Sequence, residues 1–373
     1  MAGSIYGTIL KISTWGESHG KGVGVVVDGC PAGLPLCEED IQIYLNRRKP
    51  GQSKFTTARR EGDVVEILSG VFEGKTTGTP IALEVRNTDQ RSHDYSNIMD
   101  VYRPGHADYT FDAKYGFRDY RGGGRSSGRE TIARVAAGAI AAKLLGSLGV
   151  QVQAYTRSVG PVEIEDGRFD IEEMWKNRLY MPDKKSAAEA ESYLEQMMAG
   201  KDSCGGVVEC VVTGLPAGVG EPVFDKLDAA LAKAMFSIGA VKGFEIGDGF
   251  AAAKALGSRN NDGFQMAQAD GRQPSRKAVK CTNHAGGILG GMSDGSRIIM
   301  RAAFKPTPSI AQPQQTVTRQ GEDTVIEIKG RHDPIIVPRA VVVVETMAAL
   351  TIADMLLVSM TSRLDRIQEF FGR

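Results

Sequence analysis

The 373-residue sequence lacks an excess of charge of either sign, because 45 lysines and arginines balance 45 aspartates and glutamates. A broad basic field for nucleic acid is therefore disfavoured, and any anion site must be a local cluster of basic residues. Cysteines number five, an odd count without a C-x-x-C pair. This argues against a disulfide framework and a thiolate zinc site, and it favours the reducing cytoplasm.

Long hydrophobic runs are also scarce. The longest apolar stretch, 340–360, is interrupted by Glu345 and Asp354, so it predicts a buried strand and helix rather than a membrane span. The first residues lack the apolar core of a signal peptide. The sequence therefore predicts a cytoplasmic protein without a membrane partner.

The chain does contain 42% hydrophobic residues, enough for a core of normal size. Helical and strand patterns mix without regular βαβ alternation, which predicts an α+β fold in a single large domain over 1–373. The polar stretch 258–280 predicts a mobile surface insertion. Helices are predicted over 38–49, 128–148, 187–199 and 345–358, with another beginning near Pro222, and strands over 6–13, 23–27, 64–68, 81–85, 150–157, 207–213, 298–303 and 324–329.

Basic residues cluster where a long segment with little periodicity, 87–124, meets the helix predicted at 128–148. Free N–H groups at a helix start bind phosphates and carboxylates, and arginine adds planar charged forks. Ser127 and Glu130 have the spacing of a capping box for this helix. A solvated helix face carrying ion pairs is the alternative interpretation. The residues concerned are Arg121, Arg125, Arg129 and Arg134, with the hydroxyls of Ser126 and Ser127 and the glycines at 122–124.

Two short motifs carry less weight. Residues 16–20 match the G-x-S-x-G of serine hydrolases, but they lead into a strand instead of a helix. A tight turn, or a turn that presents Ser18 and His19 to a ligand, is the favoured interpretation. Residues 247–252 resemble a dinucleotide fingerprint without a surrounding βαβ unit, which favours a structural turn. The five histidines show no H-x₃-H spacing, so no metal site is predicted.

Three long segments together resemble one family, chorismate synthase. GESHGKGVGVVVDGCP at 16–31 is similar to its N-terminal signature, the segment from Arg103 to Ala141 to its central one, and GRHDPIIVPRAVVVVET at 330–346 to its C-terminal one. SIGAVKGFEIGDGF, TNHAGGILGGMSDG and KPTPS follow between them in the expected order. The resemblance covers nearly the whole chain.

The resemblance implies a carbon–oxygen lyase at the last step of the shikimate pathway. In that reaction 5-enolpyruvylshikimate 3-phosphate loses phosphate and a C6 hydrogen by 1,4-elimination to give chorismate. The family requires reduced FMN without net redox change, and NADPH is a candidate reductant. The substrate carries a phosphate and two carboxylates, which suits the arginine cluster.

The resemblance also implies roles for individual residues. His19 would be an acid near the departing phosphate, His106 would protonate or polarise the reduced flavin, and Asp333 would take part in proton removal. FMN would be held by Arg125, Ser126, Ser127, Gly239, Ala240, Gly290, Lys305, Pro306, Thr307, Pro308, Ser309 and Arg331. Substrate anions would meet Ser18, Arg48, Lys54 and Arg129, and the family also associates Arg48 and position 54 with a reduced nicotinamide.

The family fold implied is a β-α-β sandwich with antiparallel sheets packed between helices, usually assembled as a homotetramer. Lys54 stands where the family commonly has arginine, and Gly239 stands where it has proline or asparagine. Two other classes stay open. A flavin-dependent oxidoreductase on a small polyanion would consume one reductant per product. An RNA-binding protein would use aromatic residues among the arginines, but zero net charge argues against it.

Overall fold

Eighteen short and long strands run through the part of the chain that the structure, a computed structural model, describes: residues 3–51, 55, 62–87, 98–267, 278–328 and 333–372. They are β1 (Ile5–Tyr6), β2 (Lys11–Gly16), β3 (Gly22–Asp28), β4 (Val65–Ile67), β5 (Val71–Phe72), β6 (Lys75–Thr76), β7 (Ile81–Arg86), β8 (Gln151–Val159), β9 (Val162–Glu163), β10 (Gly206–Thr213), β11 (Val241–Ile246), β12 (Phe264–Met266), β13 (Ala278–Lys280), β14 (Ile288–Leu289), β15 (Met292–Ser293), β16 (Ile298–Phe304), β17 (Gln314–Val317) and β18 (Asp323–Ile326).

Eight α-helices join them. They are α1 (Glu38–Arg48), α2 (Asp108–Tyr115), α3 (Thr131–Ser147), α4 (Lys184–Ala199), α5 (Leu227–Phe236), α6 (Gly257–Asn260), α7 (Val337–Val358) and α8 (Leu364–Phe370). Helix α1 forms where its charges predict, with three acids in its first turn and two arginines in its last, as the helix dipole prefers.

Two five-stranded antiparallel sheets form the framework. The first has the order β1-β2-β3-β7-β4, and the second has the order β11-β16-β10-β8-β9. Central strands such as β3 are buried on both faces, which explains their continuous runs of valine. Strands β7 and β16 alternate between more and less buried positions, as strands with one core face do.

The helices α1, α3, α5 and α7 fill the space between the sheets. Helix α3 packs on β2, β3 and β7 of the first sheet, α7 packs on β8 and β10 of the second, and α3 packs on α7. The α+β class and the β-α-β sandwich are therefore confirmed. In one detail the structure differs from the expectation, since these helices lie between the sheets and not outside them.

The C-terminal apolar stretch is a single helix, α7, so the prediction of a strand before it was wrong. Val341 to Val344 have high strand propensity, but burial between the sheets overrides that preference. Pro338 sits in its first turn, where a missing N–H costs nothing. The segment Val337–Thr361 is long and apolar enough to span a membrane, yet 83% of its most apolar window is buried inside the molecule, as in a core helix.

Two smaller predictions need correction. The irregular segment 87–124 contains helix α2, which its weak amphipathic pattern did not reveal. The helix predicted near Pro222 begins later, at Leu227. In the stretch 258–280, for which the sequence predicts a mobile insertion, the described residues include the antiparallel strand pair β12 and β13. The side chain of Lys280, at the end of β13, is 1% exposed and pairs with Asp262 at 3.0 Å and Asp294 at 2.8 Å.

Replacing Gly138 with alanine should destabilise the fold through the helix contact. A Cβ at Gly138 would lie 2.3 Å from Thr346 Cβ and 2.5 Å from its carbonyl oxygen, so α3 and α7 would have to move apart. Overpacking of this kind costs about 1–3 kcal/mol, which urea denaturation measures. Gly146, exposed on the same helix with no atom within 4 Å of its Cβ position, is the control. Gly146→Ala should be neutral or slightly stabilising, and equal losses in both variants would contradict the argument.

Candidate active site

Ser18 and His19 lie between β2 and β3, where the sequence predicts a turn. Ser18 Oγ lies 3.2 Å from His19 Nδ1. Gly16 begins the turn with a φ of +83°, and a Cβ there would lie 2.2 Å from the carbonyl oxygen of Gly22. The first glycine of the G-x-S-x-G motif is therefore required by the turn itself.

The glycine triplet at 122–124 brings the arginine segment against this turn. A Cβ at Gly122 would lie 2.7 Å from His19 Nδ1 and 2.8 Å from Ser18 Oγ, so only glycine permits the approach. Arg103 donates to the Gly122 carbonyl at 3.3 Å and pairs with Asp108 at 2.7 Å. The structure thus joins the 16–20 turn, the 103–108 segment and the glycine triplet.

Short 3₁₀ turns, Gly124–Ser126 and Gly128–Glu130, lead from the triplet into α3. Ser127 Oγ accepts from the Arg129 N–H at 3.2 Å, and Ser126 is exposed. The predicted capping box is not formed, because the Glu130 carboxylate instead accepts from Arg134 Nε at 2.8 Å and Thr14 Oγ1 at 3.2 Å.

Arg125 ties this segment to the first sheet. Its guanidinium donates to the Gly16 carbonyl at 2.9 Å and to Thr14 Oγ1 at 2.6 Å, and it lies 3.6 Å from Glu130. About a third of the side chain is exposed. In this conformation the Arg125 guanidinium therefore holds the start of α3 beside the 16–20 turn.

Asp63, which the sequence analysis missed, bridges two of the predicted anion-binding arginines. Its Oδ2 lies 2.7 Å from Arg48 Nη1 and its Oδ1 lies 3.0 Å from Arg129 Nη1, and the Asp63 side chain is fully buried. Arg48 also donates to Thr131 Oγ1 at 3.1 Å and to the Gly128 carbonyl at 3.0 Å. Burial lowers the pKa of Arg48 to about 10, and Asp63 opposes that shift, so Arg48 stays charged at neutral pH.

The network continues from Arg129 to the 16–20 turn through Asn87. Arg129 Nε donates to Asn87 Oδ1, and Asn87 Nδ2 donates to the carbonyls of Glu17 at 2.9 Å and Gly20 at 2.7 Å. Asn87 directly follows β7, and this position at the end of a strand was the one indication in the sequence that it lies in the site. Nothing in the spacing of Asp63 or Asn87 pointed to these long-range contacts.

Asp333 joins the same network through Arg339 of α7, the helix that packs on the second sheet. Arg339, in the first turn of α7, donates from Nη1 to Asp333 Oδ2 at 2.8 Å and from Nε to the Arg48 carbonyl at 3.2 Å. Asp333 is buried. The structure therefore places the predicted carboxylate beside the end of α1, where Arg48 lies.

The loop with His106 docks on the segment 305–309. His106 Nε2 lies 2.9 Å from Ser309 Oγ, and Lys305 Nζ donates to the Gly105 carbonyl at 2.7 Å. Burial lowers the pKa of His106 to about 4, and the positive charges of Arg103 and Lys305 act in the same direction. In the free protein His106 is therefore neutral at pH 7.

The other predicted cofactor residues are only partly brought together. Lys305 N–H donates to the Ala240 carbonyl at 2.9 Å, which places Gly239 and Ala240 beside the 305–309 segment. Gly290 lies in the turn between β14 and β15, where Gly291 packs near the start of α5, away from that segment. Lys54 and Arg331 lie outside the described residues.

A cavity of about 430 Å³ lies on the outer face of the second sheet. It is lined by Arg157, Phe244, Phe250 and Arg301, among others, and by none of the predicted site residues. Its arginines pair with neighbouring acids, since Arg301 binds Glu209 at 2.5 Å and Arg157 binds Glu163 at 2.8 Å. The residues that line this cavity are therefore separate from the predicted site residues.

Comparison with known proteins gives one consistent result. The family model described as chorismate synthase matches residues 10–357. Chorismate synthases of Agathobacter rectalis and Lachnoclostridium phytofermentans are 67% and 65% identical to this chain, each over 100% of both sequences. A solved structure described as a crystal structure of chorismate synthase aligns with a TM-score of 0.74 at 32% identity, and covers 98% of this chain and 97% of that one.

Replacing Asp63 with asparagine should strongly destabilise the protein, because Arg48 and Arg129 would be left as buried cations without their shared counter-charge. Loss of one partner of a buried ion pair costs about 3–5 kcal/mol. Urea denaturation measures the change. Asp365→Asn removes the carboxylate of an exposed pair with Arg363 and is the control, for which little change is expected. A D63N variant as stable as D365N would show that the bridge is dispensable.

Proposed function

The chain belongs to the chorismate synthase family, and from that premise we propose that it binds reduced FMN and 5-enolpyruvylshikimate 3-phosphate where the His19, His106 and Asp333 segments meet. It is a carbon–oxygen lyase that eliminates phosphate to form chorismate in aromatic biosynthesis. The observation that supports the proposed location is a continuous polar network from Asp333 to the 16–20 turn. It runs through Arg339, Arg48, Asp63, Arg129 and Asn87 in that order.

Positive charge at this location supports binding of a substrate with a phosphate and two carboxylates. Arg48 and Arg129 both bind Asp63, and Arg129 is joined through Asn87 to the turn that carries Ser18 and His19, so two guanidinium groups lie in the network beside that turn. Arg48 is 2% exposed, and its guanidinium is engaged by Asp63, Thr131 and Gly128. We infer that Arg48 contributes positive charge to the site and holds its segments together, and that it does not contact a nicotinamide directly.

The segment 305–309 has a donor set that suits FMN. Thr307 Oγ1 is buried and has no hydrogen-bond partner among the described residues, so it is available to a bound polar group. The Lys305 ammonium and the Ser309 hydroxyl lie on the same segment. Two prolines, Pro306 and Pro308, restrict its backbone, which fixes these donors before any ligand arrives.

A bound reduced flavin would supply the electron density that assists loss of the phosphate. The residues of the chain bind, orient and move protons. His19, hydrogen-bonded to Ser18, would donate a proton to the departing phosphate. Asp333, held by Arg339, would accept the proton lost from C6. General acid–base assistance of this kind contributes about 10²–10⁴-fold to a rate.

The turnover test uses purified protein, pre-reduced FMN and the enolpyruvyl substrate without oxygen. Chorismate and phosphate should appear together, with many turnovers per FMN, whereas an oxidoreductase would consume one reductant per product. His106→Ala should lower kcat by about 10²-fold or more and change KM little. His284, an imidazole paired with Asp248 at 2.8 Å outside the network, is the matched control. H284A should turn over normally, and an unimpaired H106A would remove His106 from the mechanism.

Assembly as a cytoplasmic homotetramer, each chain a single domain, is the remaining part of the proposal. The family resemblance supports this assembly, and large apolar side chains that are exposed on the described surface are available to subunit interfaces. Light scattering should give a molar mass about four times the 40.0 kDa of the chain, and a monomer at micromolar concentration would contradict it. The most exposed of these side chains among the described residues are Phe224 at 91%, Phe370 at 79% and Phe250 at 76%.

A further inference from the structure

The loop that carries His106 is fitted closely to the segment that carries Ser309. Gly105 has a φ of +69°, and a Cβ there would lie 2.7 Å from Pro308 Cβ. Lys305 Nζ donates to the Gly105 carbonyl at 2.7 Å on the same side. Steric fit and a charged hydrogen bond together therefore fix where the imidazole lies, since His106 follows Gly105 directly.

Both ring nitrogens of His106 have a partner, and the chemistry of these partners determines where the proton lies. Nδ1 is 3.2 Å from the Pro104 carbonyl oxygen, which can only accept a hydrogen bond, so Nδ1 must carry the hydrogen. Nε2 of a neutral ring then has a lone pair, which accepts from Ser309 Oγ at 2.9 Å. The hydroxyl of Ser309 is the donor in this contact.

We propose that Ser309 is the positioning residue of His106: its hydroxyl donates to Nε2 and so stabilises the Nδ1–H tautomer that the Pro104 carbonyl favours, and it is the group through which the ring passes a proton to the bound ligand. The second half of this statement rests on the proposed function, which makes His106 an acid. The first half concerns the free protein alone.

When an anionic ligand binds, the neutral ring takes up one proton from solvent at Nε2, and the transfer through Ser309 then needs no further reactant. An acceptor atom of the ligand takes the hydroxyl proton of Ser309, and Ser309 Oγ takes the Nε2 proton of the His106 imidazolium. The ring is left neutral with its Nδ1–H still on the Pro104 carbonyl. One proton moves across two hydrogen bonds, and no electrons are transferred.

The charges around His106 decide when it can hold that proton. Arg103 and Lys305 face it as cations, and Asp108 faces it as a carboxylate that is already paired with Arg103. The cations and burial keep the free ring neutral, whereas an anionic ligand beside Ser309 would raise the pKa of the ring. Protonation is then linked to ligand binding, and Ser309 lies between the two groups.

The tautomer can be measured on the full chain without cofactor by magic-angle-spinning NMR of protein labelled with ¹⁵N-histidine. The five histidines are few enough to resolve, and His106→Gln identifies the signal of His106. The wild type should show protonated Nδ1 and unprotonated Nε2. A wild-type ring protonated at Nε2 would overturn the proposal directly, whether or not any variant folds.

Variants separate positioning from simple packing. Ser309→Ala should convert a measurable share of His106 to the Nε2–H tautomer, and Ser309→Thr, which retains a hydroxyl, should restore Nδ1–H. The matched control is Ser203→Ala, because Ser203 Oγ donates to the Thr307 carbonyl at 2.7 Å in the same segment without contacting His106. An unchanged tautomer in S309A, or an equal change in S203A, would contradict the positioning role.

Turnover distinguishes failure of this proposal from failure of the proposed function. S309A should lower kcat by about 10-fold or more with little change in KM, and S309T should recover most of it. A tautomer shift in S309A together with normal turnover in H106A would uphold the positioning role and refute the catalytic one. Slow turnover of S309A with an unchanged tautomer would show that Ser309 acts in another way.

Discussion

The contact between helices α3 and α7 is the constraint on which the candidate active site depends. Helix α3 lies on the first sheet and α7 on the second, so their contact fixes one sheet against the other. Arg48 joins the starts of both helices, because its side chain binds Gly128 and Thr131 before and at the start of α3, and its carbonyl accepts from Arg339 of α7. The reactive groups are therefore mounted at the ends of two packed helices, which limits how far they can move.

This arrangement buries charged side chains, which is unfavourable unless each charge is paired. In this network one buried carboxylate pairs with two arginines. Asp63 binds Arg48 and Arg129 at once, and Asn87 extends the network to the backbone carbonyls of the 16–20 turn. One helical residue away, Arg47 binds the buried Glu345 at 2.5 Å and lies 5.2 Å from the ring of Trp175. The two consecutive arginines at the end of α1 therefore point in different directions. Arg47 points to Glu345 of α7, and Arg48 points to Gly128 before α3.

Local sequence patterns correctly predicted helices and strands that local interactions stabilise. They failed where burial or contacts between distant residues determine the secondary structure. Helix α1 follows from its own end charges, and the valines of β3 from strand propensity. The valines at 341–344 carry the same local signal, but two sheets enclose them and they form a helix. The resemblance supplied the sandwich and named His19, His106 and Asp333. It did not name Asp63, whose partners Arg48 and Arg129 are far from it in sequence.

The neutral state of His106 has a consequence for how the candidate site could control its chemistry. Each unit by which a ligand raises the pKa of this ring is about 1.4 kcal/mol of favourable interaction with the protonated form. The same interaction strengthens ligand binding, because proton and ligand uptake are thermodynamically linked. An uncharged ligand would leave the His106 ring neutral, and the Ser309 hydroxyl would then only donate a hydrogen bond to Nε2. His106 would therefore become an acid only when a ligand brings negative charge to the 305–309 segment.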